Sequence, residues 1–228
     1  MRTGATSGET VSDEAILEAV AAEAGWMEDL LVRLVEAPTT LGDEEAGQRI
    51  MEQAFADCGL EPRSVYLDTD TLRGAEGASP FSWDVKGKRN VVAGWIARGS
   101  GGRSLILNGH VDVVPPAAEA LWTNPPFLAV RDGDWIYGRG AGDMKAGLAA
   151  MTGAVRALKS AGYDPAADVQ LQSVLRRLRR RLRRMRAISF AWGYPLSASG
   201  RGERGSTAST SVSRCAPSSS PRRCSGSL

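Results

Sequence analysis

The run SLILNGHVDVVPP, residues 104–116, decides how this chain is read. Leu105, Ile106 and Leu107 are consecutive apolar residues, as expected of a strand covered on both faces. That strand ends at His110, the single histidine of the 228 residues, and the C-terminal ends of strands are where open α/β sheets place ligands. In extended backbone residues i and i+2 point to the same side, so the Asp112 carboxylate can reach the imidazole. Pro115 and Pro116 stiffen the exit from the strand. Such a histidine is either a satisfied polar residue at a strand end or a metal ligand held in one tautomer by an acceptor.

On the N-terminal side, NVVAGWIA (90–97) is a second β-type run, and RGSGGR between the two predicts a hairpin because glycine supplies the positive φ of a tight turn. SVYLD (64–68) reads as a short strand, and the stretch from Arg73 to Lys88 as a surface loop. Ser12 can cap a helix whose first turn carries Asp13 and Glu14, and apolar residues continue at helical spacing from Ile16 to Val35, with Pro38 closing the helix. A second helix is predicted from about Asp43 to Glu45 onward, with Ile50, Met51, Ala54 and Phe55 on one face and Gly59 as its stop. On the C-terminal side, Met144 to Ala161 reads as a helix ended by Gly162, and DVQLQSV (168–174) as the next strand. Helices alternating with strands predict an α/β layered domain.

YGRGAGDMKAGLAAM (137–151) is the other informative stretch. Its glycines allow a tight backbone approach, and Asp143 stands at the start of the predicted helix with Lys145 just beyond. A carboxylate can bridge two cations through its two oxygens, and metals about 3.5–4 Å apart can polarise a carbonyl while activating a shared water. The competing reading makes Asp143 an ordinary helix cap.

The net charge of +2 hides an asymmetry. Residues 1–168 carry 25 acids against 15 bases, whereas the remainder carries 13 arginines and one acid, Glu203. No run approaches the apolar length of a membrane span and the first residues show no secretory pattern, so no membrane partner is expected and a cytoplasmic protein is. Three scattered cysteines do not make a disulfide framework. Cys58, inside a helical pattern, reads as a small buried hydrophobe, and Cys215 and Cys224 fall in a Ser-rich stretch.

NGHVDVVPP, then Trp122 with NPPF (124–127), then DGDWIYGRGAGDMKAGLAAM (132–151) together resemble the metallo-aminohydrolase family of acetylornithine deacetylase, succinyl-diaminopimelate desuccinylase, aminoacylase and carboxypeptidase G. The resemblance covers roughly residues 15–174, the N-terminal half of a catalytic domain. It implies a layered, zinc-exopeptidase-like α/β fold. It also implies hydrolysis of an amide in a small N-acyl amino acid or peptide, at a two-metal site holding zinc, with cobalt or manganese possible. Carried over to this chain, His110 binds one metal, Asp143 bridges both, and Asp112 is the catalytic-site acid that orients and polarises His110. The Asp143–Met144 peptide is then cis. Trp122, Pro125, Pro126 and Phe127 read as packing under the site, and Trp135 and Tyr137 as core residues of the strand leading into GRG.

The family continues after this point with a Glu-Glu pair, base first and ligand second, and later with a further acid, a histidine and an inserted sheet domain that helps form the pocket and the homodimer. Residues 175–228 hold no glutamate pair and no second histidine, leave no room for the inserted domain, and run instead into LRRLRRRLRRM and a Ser, Gly and Pro-rich tail. Two readings stand. Leu175, Leu178, Leu182 and Met185 can form the apolar seam of a basic helix that binds nucleic acid or acidic surfaces as a non-catalytic module. Alternatively the change marks a shifted reading frame, since GAG repeats read one base late become AGG, which encodes arginine. The expected organisation is a flexible N-terminus (1–14), a partial metallohydrolase domain (15–174) and a basic, low-complexity tail (175–228), incomplete and therefore inactive as it stands.

Overall fold

A computed structural model describes residues 12–70, 84–99 and 101–175, together with the backbone of Val212–Arg214. The Arg-rich stretch from 176, Cys215, Cys224, most of the predicted 73–88 loop and residues 1–11 lie outside the described residues. Four strands form the main sheet in the order β1 (Arg63–Tyr66), β2 (Arg89–Trp95), β6 (Val169–Val174), β3 (Leu105–His110). β1 and β2 are antiparallel, as are β2 and β6, while β6 runs parallel to β3. A smaller sheet joins β4 (Val130–Asp132), β5 (Trp135–Tyr137) and β7 (Val212–Arg214). The layered α/β architecture is the one expected.

The predicted β2–β3 hairpin does not form. β6 lies between the two strands, pairing Ala93 with Leu171 on one side and Leu107 with Leu171 on the other. The reason is burial: Leu171 and Ser173 are fully buried, and a central position lets β6 satisfy its backbone on both edges. The glycines of RGSGGR therefore serve a longer connection rather than a two-strand turn.

The first predicted helix is two. Ser12 accepts from the Ala15 N–H and caps α1 (Asp13–Ala22), so Asp13 and Glu14, assigned to a flexible N-terminus, form its first turn. The helix breaks at Glu23, whose carboxylate accepts from Arg156 Nε (2.7 Å) and Ser160 Oγ (3.1 Å), and α2 (Ala24–Glu36) follows. That tertiary anchor outweighs the continuous apolar periodicity. α3 (Glu45–Asp57) ends as predicted at Gly59, in the left-handed region at φ +65.

α3 packs on β2 and β6, and α4 (Ala146–Ser160) on β3 and β6, while α1 and α2 lie against α4. Leu30, Leu34, Met51, Phe55, Val91, Leu148 and Leu171 are among the fully buried residues of this interface. At about 1.5–3 kcal/mol per large apolar side chain removed from water, this face is the main stabilising surface of the domain. On the other face, Asn108, Gln172 and Gln170 form an amide ladder, Asn108 Nδ2 donating to Gln172 Oε1 and Gln172 Nε2 to Gln170 Oε1, each at 3.0 Å. Among the described residues no helix is long and apolar enough to cross a membrane.

Candidate metal centre

β3 delivers His110 because its last residues are pressed from behind. A Cβ on Gly109 would lie 2.6 Å from Leu148 Cδ2 and 3.1 Å from Met144 Cε, so glycine is what lets α4 and the turn before it close onto the strand. The imidazole emerges at the sheet's C-terminal edge, 18% exposed. The i, i+2 expectation is met: Nδ1 lies 3.0 Å from Asp112 Oδ1 and 3.1 Å from the Asp112 carbonyl oxygen. The carbonyl accepts a hydrogen bond, and the buried Oδ1 lies within ion-pair distance of the same nitrogen. Two acceptors at Nδ1 place the proton of the neutral ring there and leave the Nε2 lone pair facing outward. Burial pushes the His110 pKa down, but contact with Asp112 and the charges of Asp112 and Asp143 outweigh it, so the imidazole titrates above its ordinary value.

Nε2 faces Asp143, whose Oδ1 is 3.4 Å away. Asp143 is not a helix cap. It sits in the turn Ala141–Lys145 with non-helical φ −127 and ψ 96, ahead of α4, and no side chain caps either segment. Gly140 enters the turn at φ +81, and the Asp143–Met144 peptide is cis, as the resemblance implies. The Asp143 side chain is 88% exposed.

Lys145, two residues on, is fully buried, and its Nζ donates to the Ala37 carbonyl at 2.9 Å. Burial pushes its ammonium pKa down to about 8, against the pull of the Asp112 charge. The connection from Lys145 to the Ala37 carbonyl, and the hydrogen bond from buried Thr39 Oγ1 to the Val111 carbonyl at 2.6 Å, were not anticipated from sequence. No residue pattern announces a bond to a backbone carbonyl.

The flank is partly as expected. Pro126 is buried and Phe127 half-buried, but Pro125 is exposed. Trp122 Nε1 donates to the Pro116 carbonyl at 2.7 Å, and the Arg139 guanidinium stacks 4.7 Å from the Trp122 ring centre. Trp135 is a correction. It is 40% exposed, because alternation along β5 turns Trp135 and Tyr137 to one side and gives the core position to Ile136. Cys58 is the buried thiol expected, donating to the Thr152 carbonyl, and burial raises its pKa to about 11.

A metal would meet one imidazole nitrogen and one carboxylate oxygen at this edge. Two ligands of a tetrahedral zinc, each about 2.1 Å from the ion, stand about 3.4 Å apart. The His110–Asp143 separation matches that edge. Among the described residues no group of three or more His, Cys, Asp or Glu side chains is arranged to complete it. The pair thus fits one edge of a coordination shell and not a whole one.

Comparison with known proteins agrees with the motifs. Residues 106–174 match the family model described as Peptidase family M20/M25/M40, and over this segment the chain is related to those peptidases. The chain is 47% identical over 94 residues to succinyl-diaminopimelate desuccinylase of Paracoccus denitrificans, covering 41% of this chain and 24% of that protein. It is 50% identical over 123 residues to the enzyme of the same name from Coxiella burnetii, covering 54% of this chain and 27% of that protein. It thus spans about a quarter of the length of these curated relatives. The structure of human carnosine dipeptidase 1 superposes with a TM-score of 0.55 at 18% identity, over 71% of this chain and 34% of that one, which shows a shared fold.

Proposed function

We propose that residues 110–143 carry one edge of the divalent-metal centre of an amide hydrolase acting on a small N-acyl amino acid or peptide, the substrate class suggested by the desuccinylase relatives. The observation that carries the reading is the 3.4 Å approach of His110 Nε2 to Asp143 Oδ1, with Nδ1 of the same ring held on Asp112. In neutral imidazole both facing atoms are electron-rich, so the pair is stabilised by a cation between them. His110 and Asp143 are the proposed ligands, and Asp112 orients the ring and raises its basicity. Zinc is the first choice of metal, and imidazole and carboxylate also admit cobalt and manganese. A bound ion would supply Lewis acidity toward an amide carbonyl and make water a better nucleophile near neutral pH.

The chain's own residues hold and orient, and among the described residues no group of three or more His, Cys, Asp or Glu side chains completes a metal site. We therefore propose that this polypeptide by itself turns over little or no substrate, and that residues 175–228 stand where a relative continues its ligand set. A free buried thiol at Cys58 accords with a reducing, cytoplasmic setting, which belongs to the same proposal.

Cobalt absorption titration of the purified full chain tests the first part. Binding is expected in wild type and lost in His110→Ala, and no binding at millimolar cobalt overturns the metal reading. Hydrolysis of N-acetyl or N-succinyl amino acids at ordinary enzyme rates would overturn the second part. Sequencing the gene across codon 174 and translating all three frames tests the third. A Glu-Glu pair and a later histidine in another frame are the expected result.

A further inference from the structure

We propose that the loop Ala37–Thr40 is a positioning brace, with Thr39 and Lys145 as its two arms, that sets the separation of the ligand segments His110–Asp112 and Asp143. This rests on the metal-pair reading above. The loop reaches both segments through buried hydrogen bonds. Toward the strand, Thr39 Oγ1 donates to the Val111 carbonyl (2.6 Å), the Val113 N–H donates to the Thr39 carbonyl (2.9 Å), and Thr40 bridges Val113 in parallel. Toward the turn, the Lys145 ammonium donates to the Ala37 carbonyl (2.9 Å), which also accepts from the Thr39 N–H (2.8 Å). Val111 is thereby held on both sides, its N–H on the Val174 carbonyl of β6 (3.0 Å) and its own carbonyl on Thr39.

Thr39, Lys145 and Val111 are fully buried, so water does not replace a lost partner. Two glycines close the assembly. A Cβ on Gly47 of α3 would meet Thr39 Cγ2 at 2.7 Å, and one on Gly140 would run into Val113 Cγ1 and lie 3.3 Å from Lys145 Cδ. With so little slack, moving the loop moves the peptide between Val111 and Asp112, and with it the acceptors at His110 Nδ1.

The single histidine makes the test direct. In the metal-free full chain labelled with 15N-histidine, at a pH where the ring is neutral, nitrogen shifts report the tautomer. Wild type is expected as the Nδ1–H form. Thr39→Val, which keeps the shape and loses the donor, is expected to mix tautomers, and Thr39→Ser to restore the wild-type signal. Lys145→Met is expected to leave the tautomer alone, because its arm reaches the other segment. In cobalt titrations Thr39→Val and Lys145→Met are each expected to lose about tenfold in affinity. The double variant is expected to lose less than the product, because both arms act through one loop. An unchanged tautomer in folded Thr39→Val, a changed one in Lys145→Met, or undiminished cobalt affinity in Lys145→Met overturns the brace. If wild type binds no cobalt while the tautomer follows Thr39 as stated, the metal reading fails and the brace stands.

Discussion

The two carboxylates beside His110 are held in opposite ways. Asp112 belongs to a strand extension clamped between β6 and the 37–40 loop, with its neighbours Val111 and Val113 buried. Asp143 hangs from a turn, with its side chain almost wholly in solvent. One side of the imidazole is preset by packing, and the other is open to exchange of water, proton or ion. In the proposed pair of His110 and Asp143, orientation is thus separated from capture, so damage to one function need not touch the other.

The largest expected effect comes from the buried cation behind the open arm. Burial lowers the Lys145 pKa from 10.5 to about 8, so between those values the unfolded chain binds more protons than the folded one. Stability is therefore gained as pH rises from 8 to 10.5, on the order of 3 kcal/mol. Urea melts of wild type and Lys145→Met across this window isolate that gain, because their difference cancels Cys58. The Cys58 thiol, raised from 9.0 to about 11 by burial, acts in the opposite sense between those values. A difference that stays flat with pH would show that Lys145 is not desolvated.

Gly140→Ala is the next largest. At φ +81, with Val113 and Lys145 against it, an added Cβ is both strained and crowded, and about 2 kcal/mol of stability is expected to be lost. Gly42→Ala is the control, since φ +108 strains it but nothing lies within 4 Å. Equal losses for the two in denaturant melts would remove the argument that the turn is pressed onto the strand extension. The smallest effect is expected for Asp143→Ala, within about 0.5 kcal/mol of wild-type stability because the side chain is exposed. A loss above 1 kcal/mol in the same melts would mean that the open arm is structural after all.

Much of this was legible in the residues themselves. Local signals located strand β3, the helix ends at Gly59 and Gly162, and the approach of Asp112 to His110, because each follows from backbone periodicity or an αL requirement carried by the residue concerned. The errors were non-local. Nothing in NVVAGWIA or SLILNGH states that DVQLQSV will come between them, and nothing in the apolar repeat of the first helix records that Glu23 will be drawn to Arg156. Thr39 was silent for a similar reason: its partner is a carbonyl 72 residues away, and every residue has a carbonyl. His110, Asp112 and Asp143 stood out in sequence, while Thr39 and the Ala37 carbonyl behind them did not.

The place of β6 also orders events during synthesis. β2 and β3 are complete by residue 110, but the strand that joins them begins only at residue 169. At about 5–20 residues per second, translation leaves both without their shared neighbour for several seconds. The nascent chain thus carries β3 and one edge of β2 without their strand partner for that interval, which makes the emerging polypeptide a natural client for chaperones that shield hydrophobic segments.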